Sequence, residues 1–150
     1  MLKEDKLRNG INLYTYLIEF KYKKPRDGGP NSSNIDCYTD IFELEQQCIN
    51  NHERFKIKKC YFIFMTSDKK YTIPGNQPNA NRMVFPLHDG YKIETRDYVP
   101  EVPAAISQLK GNGYERLHFE NNYNIEYSYF STSETDYYYF ILEIAKGNTV

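Results

Sequence analysis

The sequence has no tryptophan, almost no net charge and no long apolar run. Lys and Arg number 19 and Asp and Glu number 20, so the net charge of -1 gives no overall field to attract a polyanion such as DNA. No apolar stretch approaches the ~20 residues that span a bilayer, and no apolar signal segment follows the basic N-terminal residues. We therefore expect a cytoplasmic protein without a membrane partner, in which any contact with nucleic acid is local.

Cysteine is also scarce. Cys37, Cys48 and Cys60 are odd in number and form no CxxC pair, which argues against a disulfide framework and against a zinc site. Each lies in or beside an apolar segment, which is typical of a buried, reduced thiol. We therefore expect all three cysteines to be structural.

Aromatic residues are abundant instead. The chain contains 15 Tyr and 9 Phe, so tyrosine should be frequent both in the core and on the surface. A length of 150 residues suits one compact domain and is short for two. We treat residues 1–150 as a single domain.

Hydrophobic periodicity predicts a strand, a helix and a second strand in the first half of the chain. Side chains alternate along residues 11–23, as in a long strand. After a loop rich in Pro and Gly, apolar residues recur at helical spacing over 35–50, with Ser33 or Asn34 as the N-cap. The apolar run 59–68 predicts a central strand covered on both faces. This order is that of a βαβ unit.

The second half of the chain contains mostly strand signals. Residues 83–95 predict a hairpin that turns at 88–90, and residues 100–110 predict a short helix. Residues 124–131 and 136–146 predict two further strands. The whole pattern indicates an α/β or α+β fold, with a mixed β-sheet flanked by helices.

Glu19 and Lys21 interrupt an otherwise apolar strand and point to the same face of it. Because unpaired charges are costly to bury, the two side chains need either water or partners. One explanation is a cross-strand salt bridge on a solvated face of the sheet. The other is a metal site, in which Glu19 binds Mg2+ and Lys21 polarises the attacking water or stabilises charge on a phosphate.

Four motifs follow one another along the chain: "IEFKYKK", "CYTDIFELEQ", "CYFIFMTSD" and "YYYFILEIAK". With "VFPLHDG" between the last two, they resemble a group of bacterial proteins of the PD-(D/E)XK nuclease-like superfamily over residues 16–146. The resemblance implies a restriction-endonuclease-like mixed sheet, Mg2+ or Mn2+ as cofactor, and hydrolysis of phosphodiester bonds in nucleic acid. It places Glu19 and Lys21 at the acidic and basic positions of the signature, as a metal ligand and a catalytic lysine.

The first metal carboxylate of that superfamily normally precedes the Glu-x-Lys strand, and its identity here is open. Asp5 is the sole aspartate ahead of Glu19. The predicted helix offers Asp40, Glu43 and Glu45 as substitutes, and we take Asp40 as a metal candidate beside Asp5. The third alternative is an inactive site, which would make the chain a nuclease-fold binding or interaction protein.

Basic residues continue from the predicted strand into the following loop. Lys23, Lys24 and Arg26 come directly after Lys21. Because Lys and Arg neutralise phosphates, we expect these three residues to contact the backbone of a nucleic acid. Because the chain is this short, it has little room for a separate DNA-reading domain. We therefore expect it to act on nucleic acid as a homodimer or together with a protein partner.

Three further features are expected to be structural. Asp68 lies just beyond the predicted central strand, where α/β sheets often bind ligands, but a loop-capping role is favoured. His88 adjoins a turn and is expected to be exposed or capping. The aromatic residues of 127–140 could form a stacking platform for single-stranded nucleic acid. Residues 121–139 contain no Lys or Arg, however, so packing is favoured.

Overall fold

The alternating and apolar segments fold as a mixed α/β structure around a four-stranded mixed sheet flanked by helices, which confirms the predicted fold class. The computed structural model describes residues 14–51, 56–76 and 81–144. In chain order the elements are β1 (Thr15–Lys23), α1 (Pro30–Asn51), β2 (Ile57–Thr66), a 3-10 turn (Lys69–Tyr71), α2 (Asn81–Val84), β3 (Lys92–Ile93), β4 (Asp97–Tyr98), α3 (Pro103–Gly111), β5 (Leu117–His118), β6 (Tyr123–Asn124), β7 (Ser128–Ser131) and β8 (Asp136–Ile144).

The first half of the chain folds as the predicted βαβ unit. β1 and β2 pair in parallel, and α1 connects them. β8 then pairs antiparallel with β2, and β7 pairs antiparallel with β8, so the strand order is β1-β2-β8-β7. β2 is therefore central in the sheet, as predicted, and β1 lies at one edge. Residues 11–13 of the predicted first strand lie outside the described residues.

Helix α1 begins at Pro30, so the N-cap predicted at Ser33 or Asn34 is wrong. Proline suits the first turn of a helix, because its φ is already helical and its missing N–H would have no partner there. Gly29, with φ of 73°, supplies the left-handed backbone conformation just before the helix. Asn34 is instead buried, and its Nδ2 donates a hydrogen bond to the carbonyl oxygen of Phe85 at 2.8 Å.

The hairpin predicted over residues 83–95 is wrong. The segment begins in helix α2 rather than in a strand, and β3 pairs with the distant strand β6. Pro86 has no N–H for a sheet to use. Its carbonyl oxygen accepts a hydrogen bond from the Tyr38 hydroxyl of α1 at 2.7 Å. A long-range contact therefore holds this segment, whereas the predicted helix at 100–110 and the two last strands are confirmed as α3, β7 and β8.

The two faces of the sheet differ in burial. The face towards α1 belongs to the hydrophobic core, and its fully buried apolar residues on the two central strands include Cys60, Phe62, Phe64, Phe140 and Leu142. On the opposite face, Tyr61, Ile63 and Met65 of β2 are only partly buried. No helix among the described residues covers them. The prediction that both faces of β2 are covered is therefore wrong.

The cysteines lie where the sequence predicts. Cys37 and Cys48 on α1 and Cys60 on β2 are all buried reduced thiols. They pack within the core cluster between the helix and the sheet. In the described ranges, no helix is both long and apolar enough to cross a membrane.

Candidate active site

Glu19 and Lys21 project from β1 towards helix α1. Glu19 lines a cleft together with Asp40 of that helix, and Lys21 contacts Asp40 directly. The alternate residues of β1 point the other way, and Ile18 and Phe20 are 62% and 54% exposed. The charged side of this strand therefore faces the helix, and its apolar side is open. This arrangement overturns the explanation by a cross-strand salt bridge, because the partner of Lys21 lies on α1.

Lys21 and Asp40 form an ion pair between the edge strand and the helix. Lys21 Nζ contacts Asp40 Oδ2, and the two side chains are 18% and 25% exposed, so the pair is largely shielded from water. The parallel register of β1 and β2 places Lys21 beside Phe64 of β2. Of the helix acids proposed as substitute ligands, Asp40 is thus the one in direct contact with Lys21.

The surroundings of this pair raise the pKa of Lys21 and the pKa of Asp40, for different reasons. Burial by itself would lower the pKa of Lys21, but neighbouring Cys37 and hydrogen-bonded Asp40 outweigh it. Burial raises the pKa of Asp40, and the negative charges of Asp36 and Glu43 add to this rise, whereas Lys21 opposes it. The raised pKa of Asp40 thus comes first from its burial and then from the nearby carboxylates of Asp36 and Glu43, while Lys21 already places one positive charge beside it.

Two adjoining open clefts, each of about 300 Å³, surround these residues. Glu19 lines the first cleft with Asp40 and Glu43. Lys21 lines the second with Asp36 and the same two acids. We call the two clefts together the acidic depression. It contains four carboxylates and one lysine, so its charge is negative.

Side chains from α3 and the segment after it hold two of these acids in place. Gln108 Nε2 and Asn112 Nδ2 donate hydrogen bonds to Asp36 Oδ1 at 3.0 and 3.3 Å. The Tyr114 hydroxyl donates to Glu43 Oε1 at 3.0 Å. These contacts were not predicted from the sequence, because more than seventy residues separate the partners. Gln108, Asn112 and Tyr114 are therefore the residues of the candidate site that the sequence analysis missed.

Glu45 is structural, so it is excluded as a substitute ligand. Its side chain is fully buried and does not line the acidic depression. Its carboxylate accepts hydrogen bonds from the backbone N–H groups of Glu120 and Asn121, both at 3.0 Å. It also accepts from Asn121 Nδ2 at 3.0 Å and from the Tyr123 hydroxyl at 2.6 Å. Through these hydrogen bonds, Glu45 holds the turn before β6 against helix α1.

The donor atoms of the acidic depression suit Mg2+. This ion prefers oxygen ligands and is usually bound through one or two carboxylates while it keeps several waters. Glu19 and Asp40 border the same cleft and supply such carboxylates. In the part of the chain that the structure describes, no three Asp, Glu, His or Cys side chains converge as a metal-binding group. Asp5, the other predicted ligand, lies outside the described residues.

The residues predicted to contact a nucleic-acid backbone lie at the end of β1. Lys23 is the last residue of the strand and shares the face of Lys21. Lys24 and Arg26 are exposed in the loop that follows, and Lys24 Nζ lies 5.9 Å from the centre of the Tyr22 ring. Positive charge therefore borders one end of the acidic depression. Its contact with phosphates stays a prediction.

The remaining candidates have local roles. The Asp68 side chain caps the 3-10 turn by accepting a hydrogen bond from the Lys70 N–H at 3.0 Å, which confirms its capping role. His88 Nδ1 lies 2.9 Å from the carbonyl oxygen of Asp89 at the turn. Among the C-terminal aromatic residues, Phe140 is buried in the core, as the packing prediction requires. Phe130, by contrast, is 41% exposed.

Comparisons of the chain with protein-family models, with curated proteins and with solved structures found no match. The resemblance to nuclease-like proteins therefore rests on the sequence motifs alone. The acidic depression, with Glu19 and Lys21 beside Asp40, is the physical basis for a functional proposal.

Proposed function

We propose that this protein is a Mg2+-dependent nuclease that hydrolyses phosphodiester bonds at the acidic depression between β1 and α1. One observation carries the proposal: Glu19 and Lys21 face the helix together, and Asp40 of that helix lines the cleft of each. A carboxylate and a lysine one pleat apart, with a second carboxylate opposite, provide the groups used in metal-assisted hydrolysis. The motif resemblance supports the same reaction.

Each residue has a defined role in this proposal. Glu19 and Asp40 hold Mg2+, with Asp5 as a further candidate ligand from outside the described residues. When bound, Mg2+ supplies positive charge to the phosphate oxygens and promotes ionisation of water. Lys21 donates a hydrogen bond to the attacking water or to the phosphate oxygen on which charge develops. The water oxygen bonds to phosphorus as the bond to the leaving oxygen breaks; the water loses one proton to solvent and the leaving oxygen takes one from solvent, so the products are a phosphomonoester and an alcohol.

Lys21 must change partners to act. In the structure its ammonium group is paired with Asp40. A phosphate also carries negative charge, so it competes with Asp40 for the ammonium group. Lys23, Lys24 and Arg26 at the end of β1 are placed to hold neighbouring phosphates of the same strand. The proposal thus assigns the basic residues to substrate and the acidic residues to the cation.

Metal binding is tested by thermal unfolding of the wild type, of Glu19→Gln and of the exposed control Glu115→Gln during titration with Mg2+ or Mn2+. A ligand at 100 times its Kd stabilises the folded state by about 2.7 kcal/mol. We expect the Tm of the wild type and of the control to rise with the metal concentration, and the Tm of Glu19→Gln to stay unchanged. Absence of a rise in the wild type would contradict the metal site.

Hydrolysis is tested separately with single-stranded and double-stranded DNA and RNA in the presence of Mg2+. Lys21→Met keeps most of the side-chain length but has no charge. We expect this variant to retain the metal-dependent rise in Tm and to lose cleavage. Cleavage by Lys21→Met at the wild-type rate would exclude the proposed role of the lysine.

A second candidate function is that of an inactive nuclease-fold protein that binds nucleic acid or another protein. The ion pair between Lys21 and Asp40 favours this second function, because Asp40 already binds the ammonium group that hydrolysis requires. This candidate predicts no cleavage of any of the four substrates and no response of Tm to Mg2+ or Mn2+. The two experiments above therefore distinguish the two functions.

A further inference from the structure

The sheet face that points away from α1 is rich in apolar and aromatic side chains. We call it the open face, and it consists of Tyr16, Ile18, Phe20 and Tyr22 of β1, Tyr61, Ile63 and Met65 of β2, Tyr137, Tyr139 and Ile141 of β8, and Phe130 of β7. The strand register places Phe20, Ile63 and Ile141 in one row across its middle. The centre of the open face is therefore entirely apolar.

Several of these side chains are strongly exposed. Tyr16, Phe20 and Ile141 are 50%, 54% and 54% exposed, and Ile18 reaches 62%. Ile63, between Phe20 and Ile141, is partly buried. Monomeric proteins rarely expose a contiguous apolar patch of more than a few hundred Å², so a surface of this kind usually marks an interaction site.

The open face carries no net charge. The charged side chains that the four strands place on it are Lys59 and Glu143, and these pair with each other across β2 and β8 at 3.1 Å. A face that is apolar at its centre and neutral at its end needs no oppositely charged partner. An identical face brought onto it by a two-fold axis meets this requirement, because the same patch then contacts itself.

We propose that the open face is the interface of a homodimer, in which two copies pack their four-stranded sheets face to face. Its side chains expose on the order of 700 Å² per subunit, compared with the ~800 Å² per partner of a standard interface. Two sheets pack at a spacing of ~10 Å with strand directions within about 30° of each other. The acidic depression lies on the other side of the sheet, so it stays accessible in such a dimer.

A single-stranded nucleic acid fits this face less well. Bases stack on aromatic rings, but the central row contains Ile63 and Ile141, with Ile18 on the neighbouring row. Binding of a strand also requires cations that track the phosphates. Lys59 on this face is already neutralised by Glu143. An aliphatic centre surrounded by tyrosines is instead the composition of a protein interface.

Sedimentation velocity of the full chain over a range of concentrations tests the dimer. Ile141→Lys and Ile18→Lys each place a charge on the open face at an exposed position, so both variants should fold. The matched control is Ile73→Lys, because Ile73 is 48% exposed and lies outside the sheet. We expect the wild type and the control to be dimers, and both open-face variants to be monomers with a Kd for self-association raised at least tenfold.

Two results would overturn the proposal: a wild type that is monomeric at every concentration, or open-face variants that remain dimers. A monomer that binds a labelled single-stranded oligonucleotide, and loses it in Ile141→Lys, would identify a nucleic-acid surface instead and would also overturn the dimer. The test is independent of the proposed active site. Glu19→Gln should remain a dimer, and Ile141→Lys should keep the metal-dependent rise in Tm.

Discussion

Lys21 offsets part of the negative charge of the acidic depression. Its raised pKa means that the folded chain favours the charged amine, and this contribution to stability is present below the ordinary lysine pKa of 10.5 and lost as pH rises through the raised value. Asp36, Asp40 and Glu43 all face this one ammonium group or its cleft. Removal of the ammonium group therefore leaves three carboxylates to repel one another.

We expect Lys21→Met to lower the free energy of unfolding at neutral pH by on the order of 1 kcal/mol, because the ion pair keeps partial contact with water. The loss should shrink at acidic pH, as protonation of Asp40 removes part of the repulsion. Urea unfolding at several pH values measures both effects. Lys92→Met, at an exposed position of β3, is the control and should leave the unfolding midpoint unchanged. A pH-independent loss in Lys21→Met would rule out this electrostatic origin.

Glu45 allows a second test at the scale of the residue. Its buried carboxylate accepts four hydrogen bonds, and in Glu45→Gln an amide group would meet some of these donors. Because buried donors without acceptors are costly, we expect a loss of on the order of 3 kcal/mol in unfolding free energy. Glu115→Gln is the exposed control and should behave as the wild type in the same urea titration. Similar midpoints for the two variants would show that the network adds no stability.

At the scale of the element, the start of helix α1 depends on a glycine conformation. Gly28 has φ of 89°, and a Cβ there would lie 3.0 Å from Ser32 Oγ. We expect Gly28→Ala to destabilise the fold by about 1 kcal/mol. Gly111 ends α3 with open space around it, so Gly111→Ala should stabilise by about 0.5 kcal/mol through helix propensity. Chemical denaturation should therefore show shifts of opposite sign, and equal signs would contradict this interpretation.

The elements with strong local periodicity were predictable from the sequence, and those held by distant contacts were not. Alternation along β1 correctly places Glu19 and Lys21 on one face, and helical spacing predicts most of α1. The alternation of side chains along a strand does not show which of its two faces packs against the core. Here the side with Ile18 and Phe20 is open, so apolar character alone would assign the wrong face to the core. The two-residue strands β3, β4, β5 and β6 give no local signal, because each pairs with a strand that is distant in the sequence, with helix α3 in between.

The candidate site also combines residues that have a local sequence signal with residues that do not. Glu19 and Lys21 were candidates because they lie in one short motif, and Asp40 was one of the candidate acids in a second motif. Gln108 and Tyr114, which hold Asp36 and Glu43 in position, come from the other half of the chain. Residue types such as Gln and Tyr carry no signal for this role, because they are common in many environments. Only the packing of α3 against α1 brings them to the acids.

At the scale of the whole molecule, the abundance of tyrosine couples stability to alkaline pH. Burial is the main cause that raises the pKa of Tyr71 and of Tyr98 to about 12. It also raises the pKa of Tyr38 and of Tyr127. In the unfolded chain these phenols ionise near their ordinary pKa of 10. Above that pH the folded chain therefore binds more protons than the unfolded chain, so stability must fall as pH rises.

Each phenol that stays neutral in the folded chain while it ionises in the unfolded chain contributes a slope of about 1.4 kcal/mol per pH unit. We expect the free energy of unfolding to fall steeply between about pH 10 and the raised pKa values, when urea titrations are made at one protein concentration. Tyr38→Phe removes one fully buried phenol and its hydrogen bond to Pro86. This variant should be less stable at neutral pH but should have the shallower slope. A slope equal to that of the wild type would mean that Tyr38 ionises equally in both states, which its complete burial opposes.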